Sequence, residues 1–238
     1  MQISRTAILF LGTLTTLPAL ASEQWVNWSS TSDPTYNSST ITISGNVDGV
    51  NVNTTGDNGS ILNAQLNENP SSPNYWTDSN AVNANTYNNS LVTGPTSSDI
   101  IQLGNSGTET ITFSQAVVDP LIALVSWNQD SNASTTFSAP FQILSGATNG
   151  CNNWGCGSFQ VTSPTSFWGN GETNGVIEFQ GTYTSISFTD NFPENWHGFT
   201  VGFESIASVT SVPEPETFTM FTIGLLGLGL ARRKSIEA

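Results

Sequence analysis

An antiparallel all-β sandwich of jelly-roll type is the fold this sequence predicts, and three observations lead to it. Apolar residues recur at every second position in short runs; Ser, Thr, Asn and Gly fill most polar positions; no stretch between the chain ends keeps a helical period. Short polar side chains matter because they offer the backbone competing hydrogen bonds, which weakens helices and suits turns.

The elements follow in order. Thr40 to Ser44 alternates through Ile41 and Ile43, and Val47 to Asn53 continues past Asp48-Gly49, a turn pair. Asn67 to Ser98 is nearly all Ser, Asn, Thr and Pro, with Tyr75, Trp76 and Tyr87 as its large apolar members, and reads as a long loop or irregular strands. Thr108 to Ser114 places Ile111 and Phe113 on one face. Pro120 opens a nearly continuous apolar run, Leu121 to Trp127, which predicts a strand covered on both faces. Thr135 to Phe137 and Phe141 to Leu144 flank Pro140, which belongs at an edge or bulge. Gly175 to Gln180 and Tyr183 to Thr189 read as a tight hairpin about Gly181. In the last strand, Trp196 to Glu204, the sole histidine His197 shares a face with Phe199, Val201 and Phe203, and so belongs in the core.

The ends read as targeting segments. Arg5 precedes the apolar stretch Ala7 to Leu17, Pro18 breaks it, and Ala19 and Ala21 supply the small residues of a signal peptidase site, so 1–21 reads as a signal peptide. The exported domain is then 22–205, followed by a linker at 206–212. Residues 213–238 carry Pro213, Glu214 and Pro215, an uncharged run from Phe218 to Ala231, and the basic cluster Arg232, Arg233, Lys234. The cluster holds its side cytoplasmic while the apolar run enters the bilayer as a hydrophobic helix. Fourteen residues at 1.5 Å each reach roughly 21 Å, short of the roughly 30 Å hydrocarbon core, so the insertion is transient rather than a permanent span.

This order of parts resembles the PEP-CTERM sorting signal of Gram-negative bacteria, whose processing is attributed to membrane proteases called exosortases. The resemblance rests on the VPEP start at Val212, the Gly/Leu-rich run from Gly224 to Leu230 and the Arg-Arg-Lys end. The segment from Asn174 to Phe203, with its E-x-W-H-G-F-T-V-G strand, is also similar to a closing portion of such exoproteins. The resemblance implies that Pro213, Glu214 and Pro215 are the recognition residues and an exosortase-type protease a partner beside signal peptidase. It implies no activity for the body.

Composition narrows the rest. Between Thr6 and Ala231 there is no Lys or Arg, so the acids behind the chain's formal charge of −14 lie mostly in the exported part, with no base there to offset them. Nucleic acid is excluded as a partner, since phosphate binding depends on those cations. The same lack removes amine nucleophiles and guanidinium clamps, and no nucleophile motif accompanies His197. Glu172, Glu178, Asp190, Glu194 and Glu204 could form acid pairs, yet none sits in an active-site motif, and the chain reads as a non-enzyme. Cys151 and Cys156 predict a local disulfide in an oxidising compartment, and no metal site is assigned to them. No cofactor is called for; calcium is the one ion the oxygen-rich run Asp48, Asn51, Asn53, Asp57 and Asn58 would suit.

Trp25, Trp28, Tyr75, Trp76, Trp154 and Trp168 lie in polar or Gly-rich surroundings where a ring could stack on a sugar, with Tyr75 and Trp76 the candidate glycan contacts. The functional expectation is a non-enzymatic protein sorted to the cell surface or extracellular polysaccharide matrix. Its alternative is a secreted carbohydrate-binding sandwich, calcium-assisted or not.

Overall fold

The computed structural model describes residues 23–76, 86–128, 134–146, 150–152, 154–191 and 193–207. The predicted signal peptide with Ala19 and Ala21, and the tail with Pro213, Glu214, Pro215, Arg232, Arg233 and Lys234, lie outside the described residues. Among the described residues there are fifteen strands and no helix, hence none long and apolar enough to cross a membrane.

In chain order the strands are β1 (Gln24–Trp25), β2 (Asn27–Thr31), β3 (Ile41–Val47), β4 (Val50–Gly56), β5 (Ile61–Gln65), β6 (Ile100–Leu103), β7 (Gly107–Trp127) and β8 (Thr135–Phe137). They continue with β9 (Gln142–Ser145), β10 (Gly150–Asn152), β11 (Gly155–Ser163), β12 (Ser166–Gly171), β13 (Thr173–Glu178), β14 (Thr182–Asp190) and β15 (His197–Ile206). Every pairing is antiparallel, as the sequence predicts.

The architecture turns on β7, which is 21 residues long and belongs to two layers. Its first half lies between β4 and β14, in a layer that continues through β3 to β2 on one side and through β8, β12 and β11 to β10 on the other. Its second half lies between β13 and β15, in a layer completed by β9, β6 and β5, with β1 also against β15. The strand changes layer at Asp119 and Pro120. There Asp119 takes a φ of 48° and grips Gly181, its amide donating to the Gly181 carbonyl at 2.8 Å and its carboxylate accepting from the Gly181 amide at 2.6 Å. A strand that switches layers in this way makes a sandwich corner.

The same corner overturns one expectation. Gly181 does not close a hairpin: β13 pairs with β7 and β9, whereas β14 pairs with β7 and β8. Both segments carry apolar residues that need an inner face, and the bend in β7 gives each a different layer to pair with. The Asp48-Gly49 turn does form, with φ of 48° and 80°, the two positive values that a two-residue hairpin loop favours.

Ile111, Phe113, Ile186 and Phe188 from one layer pack on Ile122, Leu124, Phe199, Val201 and Phe203 from the other. The second half of β7 also has an apolar outward face, Leu121, Ala123 and Val125, and this too is buried. Its cover is the Ser/Asn/Thr/Pro-rich segment: Tyr75, Trp76, Tyr87 and Val92 form a second core with those residues, Ile100 and Val176. Trp76 and Tyr87 also satisfy their polar tips. Trp76 Nε1 donates to the Asp99 carbonyl at 3.2 Å and the Tyr87 hydroxyl to the Leu124 carbonyl at 3.0 Å. The Asp99 carboxylate ties the segment down further, accepting from the amides of Trp28 and Glu68, each at 2.8 Å.

Candidate functional site

Because β7 turns back on itself, its start and its end meet at one end of the sandwich, together with the end of β14 and the start of β15. Strand parity sends Glu109, Asp190 and His197 inward there, each in step with the aromatic or aliphatic residues that follow or precede it on its strand. His197 is fully buried. Its Nε2 lies 3.0 Å from Asp190 Oδ2 and its Nδ1 lies 3.1 Å from Glu194 Oε2. Its ring packs on Trp127 with centroids 4.2 Å apart, and Trp127 Nε1 donates to Thr135 Oγ1 at 2.8 Å.

Burial alone would lower the His197 pKa, but hydrogen bonding and charge from Asp190 and Glu194 outweigh it and raise the value to about 9. The imidazolium is therefore the cation that balances two carboxylates in a body without Lys or Arg. Glu109, also buried, lacks such a partner: neither of its oxygens makes a well-formed hydrogen bond to a described residue. Burial pushes its pKa up to about 7, with the Ser60 hydroxyl and the His197 charge pulling the other way. The outcome agrees with the core placement of His197 that parity predicts.

A polar chain leads from this buried group to the surface. The Asn128 amide donates to both oxygens of Glu194 at 3.1 Å, and Asn128 Nδ2 donates to Glu172 Oε1 at 3.0 Å. The other Glu172 oxygen accepts from the Ser126 hydroxyl. Burial raises the Glu194 pKa, while its bonds to His197 oppose the shift. Two acids that were merely available in the sequence are thus fixed on either side of one asparagine. Asn128 itself could not have been singled out, since nothing marks it except its place at the end of the apolar run.

Beside these acids lies an aromatic cluster. Cys151 and Cys156 form the predicted disulfide, with sulfurs 2.02 Å apart, closing the β10–β11 hairpin, and Trp154 stands in its tip. The Trp154 ring stacks on Tyr75 at 5.0 Å with an interplanar angle of 30°, and lies 5.7 Å from Trp196. Gly155 makes the approach to Glu172 feasible: its φ is 133°, and a Cβ there would meet the Glu172 side chain at 2.5 Å.

The predicted glycan contacts require correction. Trp76 is 2% exposed and Tyr75 9%, so neither offers an open face to a sugar; both seal the outward face of β7. Trp28 is buried too, its Nε1 donating to Thr200 Oγ1 at 3.0 Å. Of the six aromatic residues considered, Trp154 is the well-exposed one, at 44%. The oxygen-rich run offered to calcium does not converge either. Asp48 is at one end of β4 and Asp57 and Asn58 at the other, about 23 Å apart for seven extended residues. Asp57 meanwhile accepts from the Thr108 amide at 2.7 Å. Among the described residues no group of His, Cys, Asp and Glu is arranged to hold a metal. Glu178 and Glu204 meet elsewhere, near the β7 corner, and burial raises both their pKa values, as does their proximity to Asp119.

A family model for the PEP-CTERM protein-sorting motif matches residues 211–234. The chain carries the PEP-CTERM sorting motif. The matched stretch contains Pro213, Glu214 and Pro215 and ends at Lys234, so it takes in every tail residue singled out from the sequence. The PEP-CTERM match leaves the strand-rich body outside it, and no curated protein and no solved structure matches the chain.

Proposed function

We propose that this PEP-CTERM protein is exported by an N-terminal signal peptide, held briefly in the inner membrane by its tail, cut there by an exosortase-type protease and released to the cell surface or extracellular polysaccharide matrix. The observation that carries the reading is the sorting motif at 211–234. The body's composition supports it: a domain without Lys or Arg, rich in Ser, Thr and Asn and stapled by a disulfide, suits an oxidising compartment outside the membrane. In this reading Pro213, Glu214 and Pro215 are recognised, and Arg232, Arg233 and Lys234 hold the tail's end inside.

The body acts without catalysis. Its best-placed acids are both engaged by protein donors, Glu194 by His197 and Asn128, Glu172 by Asn128 and Ser126. Such groups position one another rather than waiting for a substrate proton. Replacing Glu214 by Ala in an exosortase-containing host tests the sorting reading: the variant accumulates in the inner membrane with its tail intact, while the parent chain loses it. Equal processing of both would count against recognition of the triplet.

A further inference from the structure

We propose that Trp154, backed by Tyr75 and Trp196 and flanked by Glu172 and Asn128, is a binding subsite for a neutral pyranose unit of a polysaccharide. Of the six rings that the sequence put forward, Tyr75 and Trp76, the two singled out, are buried, whereas Trp154 is open to solvent. Trp154 is held at a hairpin tip that the Cys151–Cys156 disulfide closes, with one ring face supported by Tyr75 and the edge of the cluster completed by Trp196. Tyr75 and Trp196 also touch directly, centroids 5.2 Å apart. The indole is thus rigid from behind yet 44% exposed, in a body whose other large rings are mostly inside. A pyranose presents a C–H face that packs on such a ring and a rim of hydroxyls that need acceptors.

The acceptors are present and aimed. Gly155, next to Trp154, lies against the side chain of Glu172, which is part-exposed, so the turn that carries the indole packs beside that acid. An ionised carboxylate has about four lone-pair sites, of which Ser126 and Asn128 use one each. The remainder could accept from a sugar hydroxyl. The Asn128 backbone is pinned by Glu194, which is in turn held by buried His197, and its side-chain amide is directed to Glu172. A first layer of contact residues locked by a second layer is the arrangement that a specific site requires.

Charge selects the ligand class. With no Lys or Arg in the body, His197 already paired with Asp190 and Glu194, and Glu172 at the site, a uronate or sulfated chain would find no cation to pair with. Hydroxyl-rich neutral chains need none. The site depends on the proposed export only to meet its ligand, so binding is measured on the purified chain and sorting is measured in cells, and either can fail alone.

The test is titration of the purified protein with a soluble neutral β-glucan, a galactomannan and a polyuronate, read by tryptophan fluorescence and calorimetry. Saturable binding of at least one neutral polymer is the expected result, weakened about tenfold by Trp154→Ala and several-fold by Glu172→Gln, and unchanged by Val161→Ala, a substitution of another exposed apolar residue. Matching circular dichroism and thermal melts for the variants show that the fold is retained. Absence of binding to both neutral polymers, unaltered binding by Trp154→Ala, or preference for the polyuronate would each overturn the proposal.

Discussion

The two halves of β7 make the most instructive comparison in the molecule. In the first half, Ile111 and Phe113 point inward while Thr108, Thr110 and Thr112 point out into a row of hydroxyls that crosses the layer through Thr55, Thr42 and Ser187. In the second half both faces are apolar and both are buried, one under the opposite layer and one under the segment that carries Trp76 and Tyr87. The same strand is thus half surface and half interior. The difference shows that the described parts of this polar-looking stretch, residues 67–76 and 86–98, belong to the core's construction, with Tyr75, Trp76, Tyr87 and Val92 acting as plugs.

Substitutions that exchange the two environments should separate most widely. Ala123→Asp puts a charge on the covered outward face and should cost about 3–5 kcal/mol of stability, as for other uncompensated buried charges. Thr112→Asp on the open half should change stability by less than about 0.5 kcal/mol; urea melts of the two variants read the contrast directly. Next in size, Trp76→Ala should cost about 3–5 kcal/mol through the cavity it leaves, whereas Trp154→Ala should leave the melting midpoint close to that of the parent. Comparable losses for the two tryptophans would mean that the segment is not a true cover.

The end of the sandwich should respond to pH. Between the ordinary Glu value of 4.5 and about 7, the folded protein keeps a proton on Glu109 that the unfolded chain has released. Between 6.5 and about 9 it does the same at His197. In both windows the folded state binds more protons, so stability falls as pH rises, and the stabilising His197 contribution, full below 6.5, is gone above about 9. Glu109 faces His197, Asp190 and Asp57, and His197 faces Asp190 and Glu194, so the acids favour the charged imidazolium, while for Glu109 the Asp190 and Asp57 charges oppose ionisation and the His197 charge favours it. Glu109→Gln should flatten the lower part of a stability profile measured across this range and leave the upper part in place. A smaller loss than at Ala123 or Trp76 should come from Cys151→Ser with Cys156→Ser, where the short closed loop contributes about 2 kcal/mol.

Parity made much of the fold legible. It placed His197 with Phe199 and Phe203, put Ile111 opposite Thr112, and marked Leu121 to Trp127 as covered twice. It would also have sent Glu109 inward with Ile111, had a carboxylate in the core been entertained. The hairpin at Gly181 misled because a strand that changes layers leaves no local mark beyond Asp119 and Pro120, residues equally suited to a loop. Tyr75 and Trp76 misled for a related reason: an aromatic among Ser, Asn and Pro reads alike whether it plugs a face or decorates one. What separates them is the unpaired apolar side of Leu121, Ala123 and Val125, which needed a cover from somewhere. The acid and aromatic cluster was beyond sequence, since Asn128, Trp154, Glu172 and Glu194 converge only once β7 has turned back.

The central claim is that both ends of this PEP-CTERM protein are removed in passage. Intact mass spectrometry of the protein recovered from the surface fraction of an exosortase-containing host tests it most directly. The predicted result is a species that starts at Ser22 and lacks the apolar run from Phe218 to Ala231 with all that follows. Recovery of the full 25.3 kDa chain through Ala238 would contradict it.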